Sequence, residues 1–253
     1  MTFKPLLLAG LFALPATAAA AQDAVQDDWS YRVTAYGWAT SLSSTVETPF
    51  GELEAEIDFD DILESLDLAF FGAFEARKGR WALVLDGMYA DLSTDIEPLS
   101  LASFSGGEIG TQVGLIGGYL TYAVVDGPKT RIDVGPGLRY TDVSVDAYAD
   151  GVDPTPDRAV SVDGSWTDLV IAARLTQAFN QNWYGVAYAD VGGFGIDESS
   201  EVTWQAFGGV GYEFAGSWSG LAGYRHLFID RDFGPTNVDT EISGPFFGVQ
   251  KTF

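Results

Sequence analysis

Acid–base or nucleophilic chemistry needs partners that this chain scarcely offers. It has one histidine, His226, and no cysteine. His226 shares the alternation face of Tyr224, which a strand would aim at the apolar side. A general base needs a partner within hydrogen-bond reach, and only Asp230 is close in sequence. One such pair makes no catalytic site, so no enzyme is expected. Without Cys or His clusters a zinc site is not expected either. Asp150, Asp153, Asp157 and Asp163 offer oxygen ligands for calcium, but their spacing lacks the regularity of an EF-hand, and they read as a solvated acidic loop. Gly192-Gly193-Phe194-Gly195 ends a strand pattern with no lysine or helix after it, so it is no phosphate loop. No catalytic residue, metal or cofactor is expected.

The charges that do form a pattern are those on the polar faces of alternating segments. Arg32, Glu75, Asp86, Arg139, Asp168, Arg174, Asp190, Glu213 and Arg225 each sit among small or polar residues opposite an apolar row. Residues 130–149 show this best: Ile132, Val134, Pro136, Leu138 and Tyr140 alternate with Arg131, Asp133, Gly135, Gly137, Arg139 and Thr141. Period-two alternation means one wet face and one apolar face. Ten such strands are read: 29–43, 67–77, 80–95, 107–125, 130–149, 162–179, 183–195, 201–214, 218–230 and 239–253.

Four of the seven tryptophans, Trp29, Trp81, Trp183 and Trp218, open one of these strands. An indole has an apolar body and an N–H that wants water, so it settles at a membrane–water boundary. Across the short turns Phe179 is expected opposite Trp183, Phe214 opposite Trp218 and Ala76 opposite Trp81. Trp29, Trp81, Phe179, Trp183, Phe214 and Trp218 then form one aromatic girdle. Connections at the girdle rim are two to four residues long, whereas the other rim carries the long, acidic stretches 44–66, 94–105, 150–161 and 231–238. Arg77, Lys78, Arg80, Lys129 and Arg131 cluster at the short-turn rim. Within 44–66, a hairpin around Pro49-Phe50-Gly51 and a helical turn over Asp60–Leu66 are expected, the helix capping the mouth or lying on the rim.

Residues 1–21 read as a secretory signal peptide, with Lys4, an apolar Leu6–Leu14 stretch and a run of alanines, which leaves residues 22–253 as one domain. The formal charge of −23 argues against nucleic acid, whose phosphates would be repelled. The expected fold is all-β: a transmembrane antiparallel up-and-down β-barrel of ten strands, with eight or twelve left open and a soluble two-sheet sandwich as the competing architecture. In a barrel this narrow the inward charges make either a salt-bridged plug or a polar path for small or cationic solutes; ten strands lie near the filled end of the range.

The last residues, Gly244-Pro245-Phe246-Phe247-Gly248-Val249-Gln250-Lys251-Thr252-Phe253, resemble the closing strand of Gram-negative outer-membrane barrels, in which Phe247, Val249 and Phe253 would form the C-terminal assembly signal. Lys251 departs from the usual apolar residue and can snorkel. The mature chain is also similar to a broad family of proteobacterial barrels in the OmpA/OmpW-like group, through Gly72–Arg77, Asp190–Gly195, Trp204–Tyr212 and Gly223-Tyr224-Arg225. The resemblance implies a cell outer-membrane location, both termini in the periplasm and acidic loops outside. It implies lipopolysaccharide and the barrel-assembly machinery as partners, and a monomer. The family shares no common activity. The function expected is structural or surface-interacting, with a narrow channel as the alternative and a lipid-modifying or proteolytic enzyme as a third class.

Overall fold

The computed structural model describes residues 28–48, 51–96, 104–152, 156–233 and 236–253. The leader at 1–21, the Pro49-Phe50 tip and Asp153 lie outside them. The strands are β1 (Trp29–Trp38), β2 (Ser41–Thr48), β3 (Gly51–Ile57), β4 (Leu66–Lys78), β5 (Trp81–Ile96), β6 (Phe104–Asp126), β7 (Thr130–Gly151), β8 (Arg158–Ala178), β9 (Trp183–Gly193), β10 (Val202–Ala215), β11 (Trp218–Phe233) and β12 (Thr236–Thr252). One helix, α1 (Phe59–Glu64), is found among the described residues and joins β3 to β4. From β4 to β12 every strand pairs antiparallel with the next, and β1 closes the ring by pairing with both β4 and β12. The result is a closed ten-strand barrel, not a two-sheet sandwich.

The extra strands come from an interruption in the first hairpin. β1 and β2 run in succession along β12, which holds Trp38 against Phe246 and Ser41 against Ser243. β3 folds back on β2, and α1 is inserted before the chain resumes as β4. Acidic Asp60 and Asp61 occupy the helix's first turn, where the backbone dipole favours them, and none of its residues is buried. It therefore caps nothing inside the barrel.

The outward surface follows the alternation. On β7, Leu138 and Tyr140 are exposed while Asp133 and Arg139 are buried. On β8, Leu169, Ile171 and Leu175 face out, and Asp168, Val170 and Ala172 face in. Large exposed apolar side chains recur on every neighbouring stave, which is a surface for lipid rather than water.

Past a fixed level the pattern turns inside out. On β7 the outward row Ile132–Tyr140 continues as Asp142, Ser144 and Asp146, while the inward row changes from Arg139 and Thr141 to Val143 and Val145. On β8 the outward row above Leu169 reads Thr167, Ser165, Asp163 and Ser161, and the opposite row carries the buried Trp166, with Val162 and Val160 exposed beyond it. Ile132–Tyr140 matches the roughly 9–11 residues that a tilted strand needs to cross a bilayer. The inversion therefore marks where lipid ends. The connection between these strands is also shorter than the 150–161 stretch read from the sequence. β7 instead continues to Gly151 and β8 begins at Arg158. Beyond the inversion, Asp157 accepts the Tyr148 hydroxyl at 3.0 Å and holds that phenol above its ordinary pKa.

Two turns differ from expectation by one residue. Gly216 and Ser217 both have positive φ, 51° and 66°, which makes a two-residue hairpin turn of the primed type. Trp218 therefore faces Ala215, and the register shift between Glu213 and Ala215 leaves Phe214 as an extra residue, not as the partner of Trp218. Likewise Gly79, with φ 56°, forms its turn with Arg80, so Trp81 pairs with Lys78 and Ala76 with Leu83. At the remaining turn Phe179 donates its amide to the Trp183 carbonyl at 2.9 Å, which sets those two opposite each other.

Candidate functional site

The interior of the barrel is filled in three layers. The layer nearest the short turns is ionic. Asp133 of β7 accepts from Arg77 of β4 at 3.0 and 3.2 Å, from its neighbour Arg131 at 3.1 Å and from Arg174 of β8 at 3.2 Å. Glu75 of β4 is bound by Arg77 at 3.0 Å and by Arg174 across the lumen at 2.5 Å. Arg32 of β1 approaches Glu75 only to 3.9 Å, and its Nε has no hydrogen-bond partner among the described residues. Arg131 also reaches Asp126 at 2.6 Å. Arg77–Asp133 and Arg174–Glu75 are chords between non-adjacent staves that tie opposite walls together, and the other contacts run along one strand or between neighbours.

The middle layer is a continuous polar chain. Arg139 and Asp190, both fully buried, pair at 2.5 Å, and Arg139 also donates to Thr203 at 2.7 Å. Asp190 accepts from Tyr188 at 2.7 Å, Gln205 at 2.6 Å and Tyr119 at 3.2 Å. The Gln205 carbonyl accepts from Arg225 at 2.7 Å, and Arg225 reaches Asp86 at 2.9 Å and the Tyr36 hydroxyl at 2.8 Å. Tyr36 closes the circuit by donating to Asp86 at 2.9 Å. Buried charges persist only when paired and hydrogen-bonded, and each acid here has both kinds of partner.

The third layer, toward the long loops, is apolar. Trp38, Met88, Leu115, Trp166, Leu227, Ile229 and Phe246 form one buried cluster, with Phe71, Val113, Val143 and Ile242 packed against it. Residues from β1, β5, β6, β8, β11 and β12 thus meet across the lumen. At its margin Asp168 lies directly across from Arg139 on the neighbouring strand, yet its carboxylate is taken by the Ser200 amide at 2.7 Å and by the Trp166 indole at 3.2 Å. Ser200 belongs to the β9–β10 connection, which tucks into the mouth.

Below the polar chain lies a cavity of about 490 Å³. Its ceiling includes Tyr36, Tyr188, Phe207, Leu221 and Phe246. Its walls near the short turns include Arg32, Arg131, Arg174, Glu213 and Gln250, and its mouth is framed by Gly127–Lys129 and Asn180–Trp183. The lumen is thus a vestibule open at the short-turn rim and blocked above.

The nine charged residues singled out in the sequence all occupy inward positions on their strands, but they do not form one network. Arg32, Glu75 and Arg174 belong to the lower layer. Asp86, Arg139, Asp190 and Arg225 belong to the middle one. Asp168 sits alone at the top, and the Glu213 side chain is exposed and makes no ion pair among the described residues. A wholly polar filling was expected, and the upper layer is instead apolar. Sequence reasoning missed Asp133, Arg77 and Arg131 as network members. Arg77 and Arg131 were assigned to the rim by their nearness to turns, although Arg131 and Asp133 share the parity of Arg139. It also missed Tyr36, Tyr119 and Tyr188, because tyrosine in a membrane barrel suggests a girdle rather than a lumen.

The girdle residues Trp29, Trp81, Phe179, Trp183, Phe214 and Trp218 are all exposed at the short-turn rim. Trp81 packs on Tyr122 with centroids 5.0 Å apart, and Trp183 on Tyr212 at 4.9 Å. Phe247 and Val249 face outward on β12, Phe253 is exposed just past its end, and the Lys251 ammonium donates to the Gly216 carbonyl at 2.5 Å over the Trp218 ring. His226 stacks on Trp204 on the outer surface, with centroids 4.6 Å apart, while Asp230 accepts from Asn237. The single histidine and its one nearby acid are therefore not brought together. Among the described residues no three His, Cys, Asp or Glu side chains converge on a metal position.

No protein-family model matches the chain, and no curated protein matches it significantly. Among solved structures it is similar to the outer membrane protease OmpT from Escherichia coli, with a TM-score of 0.55 and 10% identity over 90% of this chain and 98% of that one. Weaker likenesses are to Neisserial surface protein A (TM-score 0.35, 12% identity, 88% of this chain and 97% of that one) and to Ail, the attachment invasion locus protein of Yersinia pestis (TM-score 0.35, 11% identity, 89% and 98%). At these identities the likeness is one of fold, and the fold is that of outer-membrane β-barrels.

Proposed function

We propose that this chain is an integral outer-membrane protein that acts through its surface and its architecture, not as a pore and not as an enzyme. The observation that carries this reading is the apolar cluster of Trp38, Met88, Leu115, Trp166, Leu227, Ile229 and Phe246, which spans the lumen above the polar chain. Ions would have to cross a dry layer and break a buried Arg139–Asp190 pair, and each step is expensive. In this reading the girdle rim faces the periplasm, as in bacterial barrels with short periplasmic turns and long outer loops. The acidic upper staves β6–β8 are the surface offered to the outside. Membership of the OmpA/OmpW-like group, assembly through the C-terminal phenylalanine, a lipopolysaccharide environment and a monomeric state belong to the same proposal. Reconstitution in planar bilayers tests it: no stable single-channel steps are expected. Reproducible steps of porin size would overturn it, and the narrow-channel reading would replace it.

A further inference from the structure

We propose that the vestibule at the short-turn rim binds a small amphipathic anion, a molecule with one carboxylate or sulfonate head and a compact aromatic or short aliphatic body. At about 490 Å³ the cavity falls in the size range of ordinary small-molecule pockets. Its upper part supplies an apolar and aromatic lining from Val84, Val186, Tyr188, Phe207, Leu221 and Phe246. There Tyr188 and Phe207 stack at 4.9 Å and Phe207 meets Phe246 edge-on at 5.8 Å, leaving a fixed slot instead of a mobile surface.

The head-group preference follows from unequal pairing. Arg32, Lys129, Arg131 and Arg174 all line the cavity near its opening, in a chain whose net charge is −23. Arg174 is committed to Glu75 and Asp133, and Arg131 to Asp126 and Asp133. Glu75 takes Arg77 at 3.0 Å and Arg174 at 2.5 Å, and Arg32 makes the longest of its three ion pairs, at 3.9 Å, with an unpartnered Nε. Arg32 is therefore the least committed of the lining arginines, with Lys129 beside the opening also outside the ion pairs among the described residues, and a planar guanidinium matches a carboxylate or sulfonate fork. Of the acids in the lining, Glu75 and Asp86 are bound by arginine, and Glu213 is the one without an ion pair among the described residues. The apolar layer above makes this a blind site, entered and left through one opening. The proposal does not depend on the conductance result, which reports on the seal and not on the vestibule.

Isothermal titration into the protein in lipid nanodiscs, with empty nanodiscs as reference, tests it. The probes are naphthalene-2-sulfonate, neutral 2-naphthol and 1-naphthylmethylammonium. Saturable binding of the sulfonate alone is expected. Arg32→Gln should weaken it about tenfold, the loss expected for one charge-assisted contact. Val186→Trp, which fills the slot without touching the ion pairs, should abolish it. Heat-modifiable gel migration of both variants certifies that the barrel has formed. The proposal is overturned by the absence of saturable binding at millimolar sulfonate, by equal or tighter binding of the neutral or cationic probe, or by sulfonate binding that both variants leave unchanged.

Discussion

Arg139 and Asp190 show what a single residue does inside a narrow barrel. Both side chains are fully buried, and Asp190 gathers four donors, so its removal strands a guanidinium without a carboxylate, with Thr203 still accepting from it. Breaking one side of such a pair typically costs about 3–5 kcal/mol. Asp190→Ala is therefore expected to lower the unfolding free energy of the lipid-refolded protein by that amount, read from urea titration followed by tryptophan fluorescence. Glu213→Ala is the contrast. Its side chain is exposed and unpaired among the described residues, and it should shift stability by no more than about 0.5 kcal/mol. A comparable loss for both variants would mean that the middle layer is not the stabilising one.

At the scale of the element, the elbow between β1 and β2 depends on a close approach. The Ala39 carbonyl lies 1.8 Å from where a Cβ on Gly244 would stand, and Trp38 donates its indole N–H to the Gly244 carbonyl at 3.2 Å. Gly244→Val should push Ala39 and Thr40 off β12, unseat Trp38 from the apolar layer, and reduce the yield of the heat-modifiable barrel on refolding. Normal yield would show that the elbow is incidental. This is also where legibility in the sequence breaks down. The staves, the pairing of β2 with β3 and the inward charges follow from alternation, because side-chain parity is fixed by the pleat, and the helix near Asp60 follows from its acidic start. Turn registers do not, because they depend on which residues take positive φ: Gly216-Ser217 and Gly79-Arg80 each moved a tryptophan's partner. The elbow is illegible for a related reason: Ala39-Thr40 carries no turn signal, and the neighbouring strand alone shows why it bends. Of the candidate site, the ion-pair members could be assigned by parity, but their chords across the lumen could not, because alternation says nothing about which opposite stave a side chain reaches.

For the whole molecule, the absence of cysteine makes orientation directly measurable. Ser161→Cys on the upper part of β8 and Gly216→Cys in a short turn place single thiols at opposite rims. A membrane-impermeant maleimide added to intact cells should label the first and not the second, and lysis should make both reactive. The reverse pattern would invert the assignment of the rims. The inside-out alternation of β7 and β8 has a consequence beyond marking the membrane boundary. In a strand with one uniform alternation, slipping the pairing by two residues returns every side chain to its proper face, so even-numbered slips are nearly degenerate and only odd ones are punished. A stave whose polarity reverses partway has no such symmetry. A two-residue slip keeps the faces but carries the reversal point about 7 Å along the strand, drawing Asp142 or Thr167 into hydrocarbon or lifting Tyr140 or Leu169 into water. The reversal thus acts as a fiducial, by which the bilayer itself selects one register among those that the pleat alone would accept.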